Sequence, residues 1–115
     1  MIKELIKSED TNKVANSEKC IAYEYPFGSE KTSLAVIDIE DRYPDSGSVL
    51  NRIFEEIILV LDGNGKIVIE GKEYVVKKDD AVLVRPNEKY HYEGNLKIAV
   101  FCAPAFKPEN HEVIE

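Results

Sequence analysis

One carboxylate and one imidazole are the side chains of this sequence best placed to do chemistry. Glu56 stands at the start of a strand-like run that is otherwise apolar as far as Leu61. An unpaired buried carboxylate is costly, so we expect Glu56 to lie at a rim, to be paired, or to be functional. Histidine titrates near neutral pH and serves as a general acid or base. Glu56 and His91 are therefore our candidate catalytic residues.

The elements that must position these two residues are predicted to be β-strands. β-branched and aromatic residues dominate the runs 21–27, 33–40, 55–61, 66–70, 72–77, 81–85, 89–93 and 96–102. Turn residues separate these runs, and the Asp-Gly-Asn-Gly sequence at 62–65 predicts a tight hairpin. Gly94-Asn95 is interpreted as another turn. Many short strands with regular turns predict an all-β sandwich or small barrel.

The two ends and one internal connection are predicted to be irregular. Residues 1–19 are polar and aperiodic, apart from a short helical turn near Ser8. The connection 41–53 is long enough to be functional. The tail 103–115 contains two prolines, which argue against a regular strand, and we expect its Phe106 to pack back onto the body.

Alternation along the strand 55–61 assigns its side chains to two faces. Glu56, Ile58 and Val60 share one face, and the apolar residues at 57, 59 and 61 share the other. Because both faces are apolar, one should line a barrel interior and the other should meet a second layer or subunit. Together with the aromatic strand 21–27, this pattern predicts a homodimer.

Composition and charge limit the class of protein to which this chain can belong. A chain of 115 residues is predicted to form one domain and can bury roughly 65% of its unfolded surface without disulfides or metals. The net charge of −7 argues against partners such as nucleic acid or an anionic membrane. Cys20 and Cys102 lie far apart and are expected to be free, buried thiols. With no signal-like or membrane-spanning run, we expect a cytoplasmic protein.

The spacing around His91 resembles the second motif of the cupin superfamily, in particular its small single-domain members. That motif has a glycine, five intervening residues and a proline, followed by a second glycine, a histidine and an asparagine. Pro86, His91 and Asn95 fall on the matching positions. Asp80 and Glu88 stand where the family has glycines.

The run from Glu56 to Gly63 matches the end of the family's first motif, a glutamate followed by six residues and a glycine. The two histidines that precede that glutamate in the family are missing. Depending on the spacing, their positions hold either of two pairs: Leu50 and Arg52, or Val49 and Asn51.

The resemblance implies a cupin-type jelly-roll barrel (double-stranded β-helix), one domain over residues 1–115, with a pocket inside. In metal-containing cupins, three histidines and the glutamate hold the metal. Only Glu56 and His91 keep such chemistry here, so the site is degenerate, and no cofactor is expected beyond a weakly bound divalent transition metal. We therefore predict a small-molecule-binding protein of unknown specificity, with Asn51, Arg52, Glu56 and His91 binding the ligand.

Three alternatives remain open for this site. The first is an isomerase-like or epimerase-like enzyme in which His91 acts as base and a tyrosine as acid; Tyr90 and Tyr92 face away from His91, which favours Tyr23 or Tyr25. The second is a weakly metal-dependent cupin. The third is a non-catalytic dimeric interaction or sensor module. The ligand pocket itself is weighed against a purely structural role, in which Glu56 forms a buried pair with a histidine or an arginine. The other histidine, in the acidic tail at position 111, is interpreted as solvated.

Overall fold

The computed structural model describes residues 1–115 and consists almost entirely of β-strands. The ten strands are β1 (Asn12–Ser17), β2 (Cys20–Tyr25), β3 (Ser33–Ile39), β4 (Arg42–Tyr43), β5 (Ser48–Asn51), β6 (Glu55–Ile69), β7 (Lys72–Lys77), β8 (Ala81–Val84), β9 (Tyr90–Ala103) and β10 (His111–Ile114). Two 3-10 turns cover Ser8–Asp10 and Pro108–Asn110. No helix is long and apolar enough to cross a membrane.

The strands form one curled, antiparallel sheet. Its main path runs β1-β2-β3-β9-β5-β10, and β6 pairs with β7, β8 and β9. The longest pairing joins β6 to β9, from Glu55 opposite Ala103 to Ile69 opposite Tyr90. These two strands therefore set the positions of both sequence motifs, and the predicted all-β barrel is confirmed.

The predicted turns at 62–65 and at Gly94-Asn95 are wrong, because both segments lie inside continuous strands. β6 continues through residues 62–65 with a register shift near Leu61, and Gly65 pairs with Gly94. A Cβ atom on Gly65 would lie 2.1 Å from the Glu93 carbonyl oxygen, which leaves no room for a side chain. The glycines therefore permit a close crossing of two bent strands, the other common use of glycine within a sheet.

The segments predicted to be irregular also contain strands. Residues 12–17 form β1, the connection 41–53 contains β4 and β5, and the tail contains β10. β10 begins after the last proline of the tail, Pro108, so all of its backbone groups can pair with β5. The helical turn near Ser8 is confirmed, as is the packing of Phe106, whose ring lies 5.4 Å from that of Phe54.

The residues of β6 lie on the two faces to which the alternation assigns them. Ile58 and Val60 are fully buried in the core beside Phe54. On the outer face Ile57 is 49% exposed, and its cross-strand neighbours Leu83 and Phe101 are also exposed. The chain itself does not cover this outer face, and the homodimer stays a prediction.

Candidate functional site

The curled sheet encloses a cavity of about 300 Å³. Its wall includes residues of β1, β2, β3, β4 and β9, the connection between β2 and β3, Glu56 of β6, and His111 and Phe106 of the C-terminal segment. Cavities of this size are at the lower end of those that hold small organic molecules. The inner face of the barrel is therefore the place where the polar side chains of this chain converge.

Glu56 lies in the wall of the cavity because it is the second residue of β6 and shares the inward parity of Ile58. The Tyr90 hydroxyl donates a hydrogen bond of 2.7 Å to Glu56 Oε1. The Cys102 thiol lies 3.5 Å from Oε2 and donates to it. Burial raises the pKa of the Glu56 carboxyl, while these donors oppose the rise.

A hydrogen-bond network connects Glu56 to the C-terminal strand. The fully buried Asn51 donates from Nδ2 to the Tyr90 hydroxyl at 3.1 Å. His111 Nδ1 lies 2.7 Å from Asn51 Oδ1 and donates to it. The Tyr43 hydroxyl lies 3.4 Å from His111 Nε2. These five residues, Tyr43, His111, Asn51, Tyr90 and Glu56, are called the inner network below.

The directions of these bonds define the protonation of the imidazole. Asn51 uses its amino group toward Tyr90, so its carbonyl oxygen must accept the proton on His111 Nδ1. Burial lowers the pKa of His111, which favours the neutral ring. Nε2 then carries a lone pair on the side of the Tyr43 hydroxyl, in a ring that lines the cavity. The site thus contains a basic nitrogen near a carboxyl group whose pKa is raised.

Tyr43, Tyr90 and the two cysteines of the wall stay protonated at neutral pH. Burial raises the pKa of Tyr43 to about 12 and the pKa of Tyr90 well above its ordinary value. Burial also raises the pKa of Cys20 to about 11 and that of Cys102 further. Both cysteines are free and buried, as predicted, and act as neutral thiols rather than nucleophiles.

The structure brings together two of the four predicted ligand-binding residues. Asn51 and Glu56 both belong to the inner network. Arg52 points outward and forms an ion pair with Glu112, because consecutive strand residues alternate in direction. Arg52 is therefore not the arginine partner that Glu56 was expected to have in a purely structural role. Of the residues considered for the missing histidines, Val49 and Asn51 are the fully buried pair.

His91 lies outside the cavity. Tyr90 and Tyr92, on either side of it, point into the barrel, so His91 must point out. Its Nε2 lies 2.8 Å from Glu93 Oε2, near a shallow surface depression that includes Lys89. The alternation correctly placed the tyrosines opposite His91, but it is the tyrosines that share the cavity with Glu56.

Sequence reasoning missed three members of the inner network: Tyr43, Tyr90 and His111. His111 is not solvated, as was expected, because β10 pairs with β5 and places His111 directly opposite Asn51. No local pattern in the acidic tail indicates this pairing. The inward parity that Tyr90 shares with Tyr92 was the one available signal for a tyrosine at the site.

Comparison with known proteins gives a partial match in sequence. The family model for the Cupin domain matches residues 53–102. The uncharacterized protein MJ1618 of Methanocaldococcus jannaschii is 29% identical over 65 residues, which cover 53% of this chain and 52% of that protein. The match therefore spans about half the length of this curated relative.

Solved structures share the whole fold. A variant of Streptomyces Pac13 with uridine has a TM-score of 0.88 and 18% identity, covering 98% of this chain and 92% of that one. Pac13 is described as a nucleoside dehydratase. An RmlC-like cupin from Shewanella frigidimarina has a TM-score of 0.76 and 14% identity, covering 91% and 94% of the two chains. This chain has the fold of these small cupins, the predicted jelly-roll barrel, and its residues 53–102 match the Cupin domain model.

The side chains of the cavity do not fit the metal centre that many cupins contain. No group of three or more His, Cys, Asp or Glu residues is arranged to hold a metal ion, whereas catalytic zinc sites use about three protein ligands. Both oxygens of Glu56 already accept hydrogen bonds, and the inward residues Val49 and Asn51 carry no imidazole. A ligand in the cavity would therefore contact neutral and acid–base side chains of the protein itself.

Proposed function

We propose that this protein binds a small organic molecule inside the barrel, with the inner network as the polar part of its binding site. The observation that carries the proposal is the cavity of about 300 Å³, whose wall contains 14 hydrophobic residues among 25. A mostly apolar wall with a few convergent polar groups is typical of small-molecule sites. The shifted pKa values of Glu56 and His111 at the same place support a functional site.

The position of Tyr92 supports the same proposal. Tyr92 is buried and lines the cavity, and none of the side-chain hydrogen bonds of the protein involves its hydroxyl. Buried polar groups are generally hydrogen-bonded, so a hydroxyl facing a cavity is ready to bind water or a ligand. Pac13, which shares the fold, has been solved with uridine, and this makes uridine the first probe.

Ligand binding can be tested by thermal shift and calorimetry with uridine, hexoses, amino acids and keto acids. A ligand that binds the folded state raises its melting temperature. We expect Tyr90→Phe to weaken binding by about fivefold to tenfold, through the loss of one hydrogen bond. The control is His91→Gln, which alters the neighbouring residue outside the cavity and should leave affinity unchanged. The proposal fails if no compound stabilises the parent, or if both variants weaken binding equally.

An acid–base enzyme is the second candidate, and one specific observation favours it. His111 presents a neutral Nε2, while burial keeps the pKa of the Glu56 carboxyl above its ordinary value. Two titratable groups whose environments move their pKa values in opposite directions suit a base and an acid. His111 would take a proton from a ligand carbon, and Glu56, reached directly or through Tyr90, would protonate a leaving hydroxyl.

The catalytic proposal can be tested by incubating each compound that binds with the protein in D₂O. Mass spectrometry would detect deuterium at a carbon position or the loss of one water molecule. We expect His111→Asn to abolish either change while binding persists, and His91→Asn to have no effect. Binding without deuterium uptake or dehydration in the parent would leave a binding protein and eliminate the enzyme.

We further propose that the protein forms a homodimer through the outer face of the sheet. Leu83, Ile57 and Phe101 lie side by side on β8, β6 and β9, and all three are exposed. Light scattering should show a dimer that Phe101→Lys dissociates. Val75→Lys, at an exposed apolar residue on β7, should leave the mass unchanged. A monomeric parent at micromolar concentration would refute the dimer.

A further inference from the structure

The charged side chains in the wall of the cavity are all of one kind. Apart from the neutral His111, the ionisable carboxyl groups of Glu24 and Glu56 are the only members of the wall that can carry a full charge at neutral pH. Burial raises the pKa of both carboxyl groups, since neither has a cation beside it. The electrostatic character of the cavity is therefore neutral to negative.

The arginines of the neighbouring strands bind groups other than the ligand cavity. Arg42, on β4, donates from its guanidinium to the backbone carbonyl oxygens of Pro44 and Gly47. Arg52, directly after β5, pairs with Glu112 on the outside of the barrel. An anionic group entering the cavity would consequently lose its hydration without gaining a cationic partner, which is costly.

The neutral groups of the wall suit hydroxyls and flat rings. Asn12, Asn16 and Tyr92 line the cavity and can each bond a hydroxyl group. Tyr25 and Phe27 also line it, with ring centroids 6.4 Å apart and planes inclined by 17°. Two nearly parallel aromatic rings offer a face on which a planar ring can pack.

From these features we infer that the cavity selects an uncharged, hydroxyl-bearing ligand and rejects its phosphorylated counterpart. The inference rests on the proposed ligand-binding function and specifies its substrate class. A nucleoside or a free sugar would therefore be accepted, whereas the corresponding nucleotide or sugar phosphate would not. The phosphate would lie near Glu24 or Glu56 and would have to be buried without a cationic partner.

Calorimetry with two matched pairs tests the inference: uridine against uridine 5′-monophosphate, and glucose against glucose 6-phosphate. We expect at least one uncharged member to bind, and to bind at least tenfold more tightly than its phosphate. Glu24→Lys places a cation in the wall and should reduce this ratio severalfold. Glu73→Lys makes the same charge change on β7, away from the cavity, and should leave the ratio unchanged.

The outcomes separate this inference from the proposed function. A phosphorylated member that binds as tightly as its uncharged partner, and whose binding Tyr90→Phe weakens, would overturn the inference and keep the cavity as a binding site. Binding only of amino acids or keto acids would also overturn the inference and keep the cavity as a binding site. Equal effects of Glu24→Lys and Glu73→Lys would attribute the preference to net charge and would also overturn it. If no compound binds at all, the proposed function itself fails.

Discussion

The inner and outer faces of β6 and β9 are built from adjacent residues and have opposite properties. Inside, Glu56 and Tyr90 are buried and hydrogen-bonded to each other. Outside, Ile57 is half exposed, and His91 forms its hydrogen bond with Glu93, a partner on its own strand. Membership of the inner network therefore depends on strand parity more than on residue type. The inward Tyr90 belongs to the network, whereas the outward His91 does not.

Three pairs of consecutive residues make this comparison testable, because each pair has one member inside and one outside. The pairs are Ile58 with Ile57, Asn51 with Arg52, and Tyr90 with His91. Each inner member has lost its contact with water, so the protein must supply every interaction it makes. When an outer member loses a contact with the protein, water can replace that contact.

The largest difference is expected for the two isoleucines of β6. Ile58→Ala leaves a cavity in the core and should lower the free energy of unfolding by about 2–5 kcal/mol. Ile57→Ala should cost less than about 1 kcal/mol in the monomer, since Ile57 is 49% exposed. Urea denaturation followed by circular dichroism measures both. Equal losses would contradict the assignment of faces, and a loss for Ile57→Ala that grows with protein concentration would indicate the dimer.

A smaller difference is expected for Asn51 and Arg52. Asn51→Ala leaves the Tyr90 hydroxyl and His111 Nδ1 without their shared partner, which should cost about 2–4 kcal/mol. Arg52→Ala removes only an exposed ion pair, and such pairs contribute about 0–1 kcal/mol. The same denaturation measurement applies. Similar values for the two variants would mean that the inner network contributes no more than a surface ion pair.

The third pair should show the smallest difference of the three. Tyr90→Phe removes the donor to Glu56 and the acceptor for Asn51, and should cost about 1–3 kcal/mol. His91→Gln should change the free energy of unfolding by less than about 1 kcal/mol, because its partner Glu93 lies at the surface. Thermal unfolding of both variants at neutral pH measures the difference. A greater loss for His91→Gln would give the outward histidine a structural role that its contacts do not explain.

The parts of this molecule that the sequence predicts are those with local causes. Alternation along β6 predicts that Glu56 shares a face with Ile58 and Val60, and the β-branched runs predict most strands. The glycines at 63 and 65 favour a turn or a close crossing equally well, and only the pairing with β9 decides between them. The contact between His111 and Asn51 joins residues 60 positions apart, and no pattern near either residue indicates it.

The subtlest test of the inner face is its dependence on pH. Burial raises the pKa of Glu56 in the folded state, so the folded protein holds this proton more tightly than the unfolded chain. Stability from this group is therefore complete below the unfolded pKa of about 4.3 and is lost as the pH rises through the folded value. Glu56→Gln, which cannot titrate, should remove this decline, so that its stability relative to the parent improves with increasing pH.

His111 should behave in the opposite way and provides the internal control. Burial lowers its pKa, so the unfolded chain takes up a proton first, and stability falls as the pH drops below about 6.5. His111→Asn should remove this acid-side loss and leave in place the decline that Glu56 causes with rising pH. Unfolding free energies measured by urea denaturation from pH 4 to pH 9 separate the two effects. If Glu56→Gln and His111→Asn both leave the profile of the parent unchanged, neither group is desolvated in the folded protein, and the inner face is as open to water as the outer one.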